Sequence, residues 1–474
     1  MAFGGNGITI DKIDGALTKY YIPRMWELIQ TNTPGLEYFK DMGQVVNWSG
    51  PGYKGFFKTR QKGKKGVVGG RVGRLPDAGA PTFTEPEIEY TVFRNLIQFE
   101  WDAKMRSSTE RYDRLKRVIE AAVEDTGDEF RRRLNTYLYT KGNIVGVCTG
   151  TSTVDSGENT STFTIVSPHI KGGSSFGASA GYKANGACQY IEPGDQLLID
   201  KASSGDCVVV EVASVNRTTG VVTVVSNSDT AGTTPIWDSD AAVCANDGAK
   251  VYFASTSTPH NTVFATASSA SILEQTDLDA DLNGMGDILG DYSASQTYLG
   301  QSKTGFWDNV DQHNSGTNRA LSLVLIDKLL GEMNDQRFVY PNLMIMNTGM
   351  FHEFNDLAEK NHAFFNQGDL PGGHKPQVRK KYFTVKTTMA QGDMDILIDK
   401  YAPMEQITVV DTENLGYANV YKESEAKEDG SFLRHSDTEY DSWHGWTRWA
   451  GQFFAMSPAA VGRLNDITQD IKNL

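Results

Sequence analysis

Asp279, Asp281, Asn283 and Gly284 stand at the spacing that opens a calcium-binding loop, with oxygen donors at positions one, three and five and a glycine at six. The bidentate glutamate that closes such a loop at position twelve falls on Gly290, so the coordination shell stays open and a helical segment is the better reading. His352 and His362 share one predicted helix but lie ten positions apart, nearly three turns or about 15 Å, too far to hold one metal. Cys148, Cys188, Cys207 and Cys244 are 40, 19 and 37 positions apart, with no Cys-x-x-Cys. They read as reduced, part-buried thiols, although their even number also allows two disulfides. The chain has no GxxxxGK followed by Ser or Thr, no HExxH and no GxSxG. Gly66, Gly69 and Gly70 lack the strand-then-helix context of a dinucleotide loop. No catalytic, cofactor-binding or metal-binding residue is therefore assigned, and the chain is read as non-enzymatic.

The strongest cluster of one residue type is basic. Lys54, Lys58, Arg60, Lys62, Lys64, Lys65, Arg71 and Arg74 fall in a stretch that holds no acid and is dense in glycine. Such a run could bind phosphate as an arm. It lacks the interleaved aromatics of a single-strand platform, having only Tyr53, Phe56 and Phe57 at its start. The whole chain, at 45 basic against 59 acidic residues, carries a net charge of -14, which speaks against a nucleic-acid binder. Residues 1–150 carry 23 basic and 18 acidic residues, a net of +5, so the other 324 carry -19. A basic front and an acidic rear predict that copies meet front to rear, with the eight basic residues acting between subunits.

Those residues need a frame to hold them. The glycines predict an extended loop, and the alternation of Ile88, Tyr90 and Val92, then of Ile97, Phe99 and Trp101 in opposite phase, predicts strands with a bulge near Arg94. From Ser107 to Lys141 the period becomes 3.6, with Tyr112, Leu115, Ile119, Val123, Phe130, Leu134 and Leu138 on one stripe. This is a spine helix of about 45 to 50 Å, capped by Ser108 and closed at Gly142. Before the loop, Pro23, Trp26, Leu28 and Ile29 mark one short helix ended by Thr33-Pro34-Gly35, which must lie as an arm on something else.

Residues 151–260 contain 28 Ser and Thr, 11 Gly and only 16 charged residues, and strand signals recur at 196–200, 208–215, 221–225 and 250–253 with a hairpin turn at 216–220. They predict an inserted β module with a core of its own. Helices follow at 271–289, 320–334 and 350–365, and strands at 343–346, 382–385, 395–398 and 407–410. An aromatic segment from Trp443 to Met456 closes the series, its Trp443, Trp446 and Trp449 read as core or interface. No run of eighteen apolar residues and no basic-then-apolar leader pattern occurs, so a soluble protein made in a cytoplasm is expected.

The order of parts resembles the major capsid proteins of tailed bacteriophages with the Hong Kong 97 type fold. It is carried by Tyr137-Leu138-Tyr139-Thr140-Lys141-Gly142-Asn143 and by Thr297-Tyr298-Leu299-Gly300 through Gly305-Phe306-Trp307. The pairing of 320–330 with Pro341 to Asn347, and the closing Gly451 to Ala460, complete it. The resemblance implies an α+β chain divided into an arm (1–48), an extended loop (49–103), a peripheral domain with the spine helix (104–150), an inserted β-rich domain (151–262), a connection (263–310), an axial domain (311–435) and a return strand with the carboxyl terminus (436–474). It further implies pentamers and hexamers of the chain around double-stranded DNA, without sequence-specific binding or a membrane. Scaffolding, portal and decoration proteins are the expected partners, no cofactor is expected, and the location is the virion capsid, assembled in the host bacterial cytoplasm. An encapsulin-like shell around a cargo enzyme and a nucleic-acid binder using the basic loop are the alternatives.

Overall fold

The computed structural model describes residues 35, 44–46, 54–56, 59–62, 82–84, 86–100, 112–141, 143–154, 161–166, 188–200, 206–217, 219–224, 249–254, 263–265, 282–290, 297–303, 307–315, 317–337, 339–362, 382–386, 393–424, 434–435 and 442–469. Four helices, α1 (Tyr112–Tyr139), α2 (Met285–Leu289), α3 (Leu323–Arg337) and α4 (Thr348–His362), and three larger sheets make up this part of the chain.

Helix α1 has 28 residues, about 42 Å at the usual rise. Phe130, Leu134, Tyr137 and Leu138 of the predicted stripe are buried, but so are Asn135, Thr136 and Tyr139 off it, so the last turns of the helix are enclosed on every side and not along one stripe. The chain leaves the helix through Asn143, whose φ of 57° is the left-handed conformation that asparagine tolerates. Ser108 and Gly142, the predicted caps, lie outside the described residues.

The 14-residue strand Ser442–Ala455 is the axis of a five-stranded sheet. Thr91–Glu100 pairs along one side of it and Leu415–Ser424 along the other, and Gln44–Val46 adds a parallel strand beside Gly416 to Ala418. The bulge expected near Arg94 is absent. The register runs unbroken from Thr91 opposite Gly451 to Glu100 opposite Ser442, and Arg94 faces Arg448. The two phases are instead reconciled at Tyr90, which separates the strand Glu87–Glu89 from Thr91–Glu100. Ile88 is buried before that break and Phe93 after it, so each strand keeps its own inward face.

Strands Gly146–Val154, Ser161–Val166, Val221–Val224, Asp206–Asn216, Gln196–Asp200 and Lys250–Phe253 pair in that order, all antiparallel, and the last pairs back with the first. They therefore close a six-stranded barrel, with Val263–Ala265 attached to the outer end of Asp206–Asn216. Closure leaves the barrel strands few free edges. Its first strand starts at Gly146 and crosses position 150. Val208, Val210, Val222, Val251 and Phe253 fill the interior, and this interior is one continuous cluster with Phe130, Leu134 and Tyr137 of α1. The separate core expected for this module is thus a shared one, because Phe253 lies against the helix and not only against other strands: its ring is 6.2 Å from that of Tyr137.

The third sheet has the order Val310–Gln312, Val461–Leu464, Ile407–Val410, Leu343–Met346, Asp393–Ile398, Tyr382–Lys386. Leu343–Met346 and Ile407–Val410 are buried at every position, as befits strands covered on both faces: the first is apolar throughout, and in the second only Thr408 is polar, its hydroxyl accepting from the Gln406 side chain. One face carries Met344, Met346, Val409 and Leu464 against α3 and α4. The other carries Leu343, Ile345, Val410 and Val461 into the cluster shared with α1 and the barrel. The parallel pairing of Leu343–Met346 with Asp393–Ile398 needs a crossover, and α4 lies within it.

Of the helix predicted over 271–289, residues 271–281 lie outside the described residues, and the described part is helical only in α2. Leu282, Asn283 and Gly284 are non-helical, with Gly284 at φ -86° and ψ 179°. Close packing is the reason: a Cβ on Gly284 would stand 2.2 Å from the Tyr137 carbonyl oxygen and 2.3 Å from that of Thr140, at the end of α1. Of the calcium-like motif, Gly284 therefore stands in extended backbone and Asn283 outside any helix, whereas Asp279 and Asp281 lie outside the described residues.

Candidate functional site

Two short ladders carry the basic segment. Lys54–Phe56 pairs with Glu87–Glu89, placing Lys54 opposite Glu89. Thr59–Lys62 pairs with Thr82–Thr84, placing Arg60 opposite Phe83 and Lys62 opposite Thr82, with a shift of register between the two. Lys58, Lys64, Lys65, Arg71 and Arg74 lie outside the described residues. The ladders thus form two successive parts of one antiparallel excursion whose legs run back toward Thr91.

The root of that excursion is fixed to the body. Ile88 is buried with Phe454, Leu299 and Met456 around it. The Gln452 side-chain amide donates to the Glu89 carbonyl at 2.7 Å, while its oxygen accepts from Asn283 N–H at 2.8 Å. Beneath it, Trp449 lies among Phe93, Tyr417 and Phe453 at ring separations of 5.7 to 6.3 Å and donates its indole N–H to the Tyr417 hydroxyl at 3.1 Å. Burial pushes the Tyr417 hydroxyl up to about 12, partly opposed by that indole hydrogen bond. Trp449 is therefore a core residue. Trp443 and Trp446 face Phe99 and Leu96 across the same ladder.

The hairpin Thr297–Tyr298 with Gln301–Ser302 turns through Leu299 and Gly300, both at positive φ. Tyr298 accepts from the backbone N–H of Ala455 at 2.8 Å and lies 6.1 Å from the ring of Trp307, so the hairpin braces the end of the long return strand.

Sequence reasoning missed three buried polar junctions, and no motif spacing announces them: two join segments more than 150 residues apart and the third closes a local loop around a buried lysine. Arg463 is hydrogen-bonded through two nitrogens to the Asp311 carboxylate and donates to the Gly290 carbonyl, tying the third sheet to α2. Beside it the Lys303 ammonium donates to the carbonyl of Ile288 and to Asn309 Oδ1. Burial, then the charge of Arg463, pulls the Lys303 amine down to about 7. Asp399, fully enclosed, accepts from the Tyr139 hydroxyl at 2.9 Å, from Tyr401 N–H at 3.0 Å and from the backbone of Gly35. Burial raises its carboxyl, and those donors oppose the rise. A Cβ on Gly35 would meet Leu138, Tyr139 and Asp399 within about 3 Å, so this residue occupies a notch only glycine fits.

Among the described residues no group of three His, Cys, Asp or Glu side chains could hold a metal ion. His352 is exposed on α4, and the side chain of His362 is outside the described set. Cys148 and Cys188 are buried thiols outside any disulfide, and burial lifts Cys188 to about 12. Cys207 lies in the strand Asp206–Asn216, and Cys244 falls outside the described residues. No described helix is long and apolar enough to cross a membrane.

No family model matches the chain, and no curated protein matches it. Among solved structures it is similar to the capsid asymmetric unit of cyanophage A-1(L), at 14% identity over 92% of this chain and 93% of that one, with a TM-score of 0.48. It is also similar to the capsid of a native GTA particle, at 8% identity over 91% and 90% of the two chains and a TM-score of 0.42. A holo-SrpI encapsulin complex from Synechococcus elongatus is similar over 35% of this chain and 55% of that one, at 13% identity and a TM-score of 0.22.

Proposed function

We propose that this chain is a major capsid protein of the Hong Kong 97 type, which assembles as pentamers and hexamers into the icosahedral shell around the double-stranded DNA of a tailed bacteriophage. The observation that carries the reading is the excursion 54–62 with 82–89. It is a narrow, two-stranded projection with a basic sequence, rooted in the longest described strand, beside a 28-residue helix. A two-stranded ribbon is marginal by itself and gains order by lying on another surface. In a shell that surface is the neighbouring subunit, reached by Lys54, Lys58, Arg60, Lys62, Lys64, Lys65, Arg71 and Arg74 against the acidic remainder of the chain.

In this reading 1–48 is the arm, 49–103 the extended loop, 104–150 the peripheral domain around α1, 151–262 an insertion, 263–310 a connection, 311–435 the axial domain and 436–474 the return. Scaffolding and portal proteins are its partners, with a decoration protein as a further one, and the virion is its location. The role is structural, with no chemistry of its own.

Negative-stain imaging and sedimentation of the purified chain, with its scaffold co-expressed, test the proposal. Closed shells or capsomer rings are expected. A compact monomer at high concentration overturns it. Shells that carry a cargo enzyme when purified from the native source, and never DNA, support the encapsulin-like alternative.

A further inference from the structure

Asp399 is a buried carboxylate held by donors in place of a counter-ion. The residue is 1% exposed, and among the described residues no cation pairs with it. Lys400 acts on it only from a distance, with its ammonium over the Tyr401 ring at 4.7 Å from the centroid. What faces the carboxylate is the Tyr139 hydroxyl of α1 at 2.9 Å, the Tyr401 N–H at 3.0 Å and the Gly35 N–H. Tyr190, buried nearby, feels the same negative charge but donates its hydroxyl to the Tyr401 carbonyl at 2.9 Å.

Two of these three donors are anchored independently of the carboxylate. Tyr139 ends a 28-residue helix. Tyr401 sits in a loop tied by Asp399 N–H to the Met346 carbonyl and by the Gln189 amide, which donates to the carbonyls of Lys400 and Ala402. Gly35 comes from 104 positions before Tyr139 and enters as bare backbone, since a Cβ there would stand 2.9 Å from Leu138 and Tyr139 and 3.1 Å from Asp399.

A proton on Asp399 has to share an oxygen with one of those donors. The Tyr139 hydroxyl can turn and accept it, whereas the two backbone N–H groups cannot turn and are left facing a neutral oxygen. A hydrogen bond to a neutral acceptor is weaker than one to a carboxylate. Tyr401 stays because its loop is tied elsewhere, so the loss falls on Gly35. Burial raises the Asp399 carboxyl against the pull of its donors, so it takes its proton at a higher pH than an exposed aspartate does. Because the folded chain then binds that proton more readily than the unfolded one, this titration does not itself unfold the subunit.

We propose that Asp399 is a proton-controlled latch: its carboxylate holds the Gly35 peptide against the end of α1, and its neutral form releases that peptide while α1, the barrel and the third sheet stay joined. The latch belongs to the single subunit and stands apart from the shell reading.

The test is hydrogen exchange of the full-length chain from pH 8 to about 4.5, read at the Gly35 amide by fragmentation mass spectrometry and scaled to the intrinsic rate at each pH. Protection of Gly35 should fall by about fivefold or more through a single protonation, while the amides of Leu343–Met346 keep theirs. Asp399→Asn keeps the shape but not the charge and turns its own N–H groups toward the donors, so Gly35 should already be weakly protected at pH 8 and show no further change. Tyr139→Phe removes one donor to the ionised form and should move the wild-type midpoint to higher pH. Gly35 protection that is constant with pH, or that is lost only together with that of Leu343–Met346, overturns the latch. So does a full wild-type transition in Asp399→Asn. If Asp399→Asn does not fold, an unmoved midpoint in Tyr139→Phe overturns it.

Discussion

Arg132 of α1 grips Asp195 from 63 residues away, with its two terminal nitrogens 2.8 and 2.5 Å from the two carboxylate oxygens. Both side chains are 11% exposed, Glu129 joins the same guanidinium at 3.1 Å, and the Arg132 and Arg133 guanidinium carbons each lie 5.2 Å from the Phe253 ring centroid. Burial alone would raise the Glu129 carboxyl, but Arg133 and then Arg132 outweigh it and hold the group below its ordinary range. The barrel is thereby clamped to the helix at one partly buried charge cluster.

Removing the cation of that cluster should cost more than neutralising one carboxylate. Arg132→Ala leaves the partly buried Asp195 carboxylate without its cation, while Glu129 keeps Arg133, and a loss of roughly 3 kcal/mol is expected in denaturant unfolding. Asp195→Asn keeps the shape and one acceptor, for a loss of about 1 to 2 kcal/mol. Equal, negligible effects for both would mean that the clamp does not hold the barrel.

Lys303 gives the protein a definite pH signature. Its folded value of about 7 is below the ordinary 10.5, so between those limits the unfolded chain binds the extra proton. Stability from this group is complete above about 10.5 and declines as pH falls toward about 7, with a slope approaching 1.4 kcal/mol per unit. Lys303→Met should flatten that part of the stability profile. Identical slopes for the variant and the wild type between pH 8 and about 10 contradict the burial of the amine.

Two glycines should respond in opposite directions. Gly284→Ala drives a methyl into the carbonyls that end α1 and should lower the melting temperature by several degrees or prevent folding. Gly331→Ala adds its methyl to open space inside α3 and should raise the stability of the subunit by about 0.5 to 1 kcal/mol. Thermal melts of the two variants decide the matter, and a harmless Gly284→Ala would show that α2 does not dock there.

The basic loop should matter to assembly and not to the fold of the subunit. Replacing Lys62, Lys64, Lys65 and Arg71 together by Glu should block or weaken shell formation while leaving the subunit melt nearly unchanged. A single reversal should be tolerated, because each exposed pair contributes only about 0.2 to 1 kcal/mol. Raised salt should weaken wild-type assembly in the same direction. Normal shells from the fourfold variant, combined with loss of DNA retention, would assign the loop to the genome.

What the amino-acid sequence determined by itself was whatever depends on neighbours along the chain. The strands Gln196–Asp200, Lys250–Phe253, Leu343–Met346 and Ile407–Val410 were legible as short apolar runs between turn residues. The α1 stripe was legible as a 3.6-residue period, and the turn at Asn216 to Gly220 as hairpin chemistry, with Asn216 Oδ1 accepting from Thr219 N–H and Gly220 at φ 73°. The basic cluster was legible as composition, but its side chains had no partners that spacing could name.

Only the tertiary structure decided how those pieces close on one another. Lys250–Phe253 returns to Gly146–Val154 to seal the barrel, and Arg463 reaches Asp311 across 152 residues. Leu282 to Gly284 leave the predicted helix because the carbonyls of α1 occupy the space a side chain would need. Tyr90, not Arg94, breaks the strand because Phe93 must point at Trp449. Val324 was one more apolar residue in a helical run until the burial of Ile326, Leu329, Leu330 and Met333 fixed which side faces inward. Periodicity and turn chemistry act over a few residues. Burial, close approach and charge pairing act between segments that meet only once the chain has folded, so no local pattern records them.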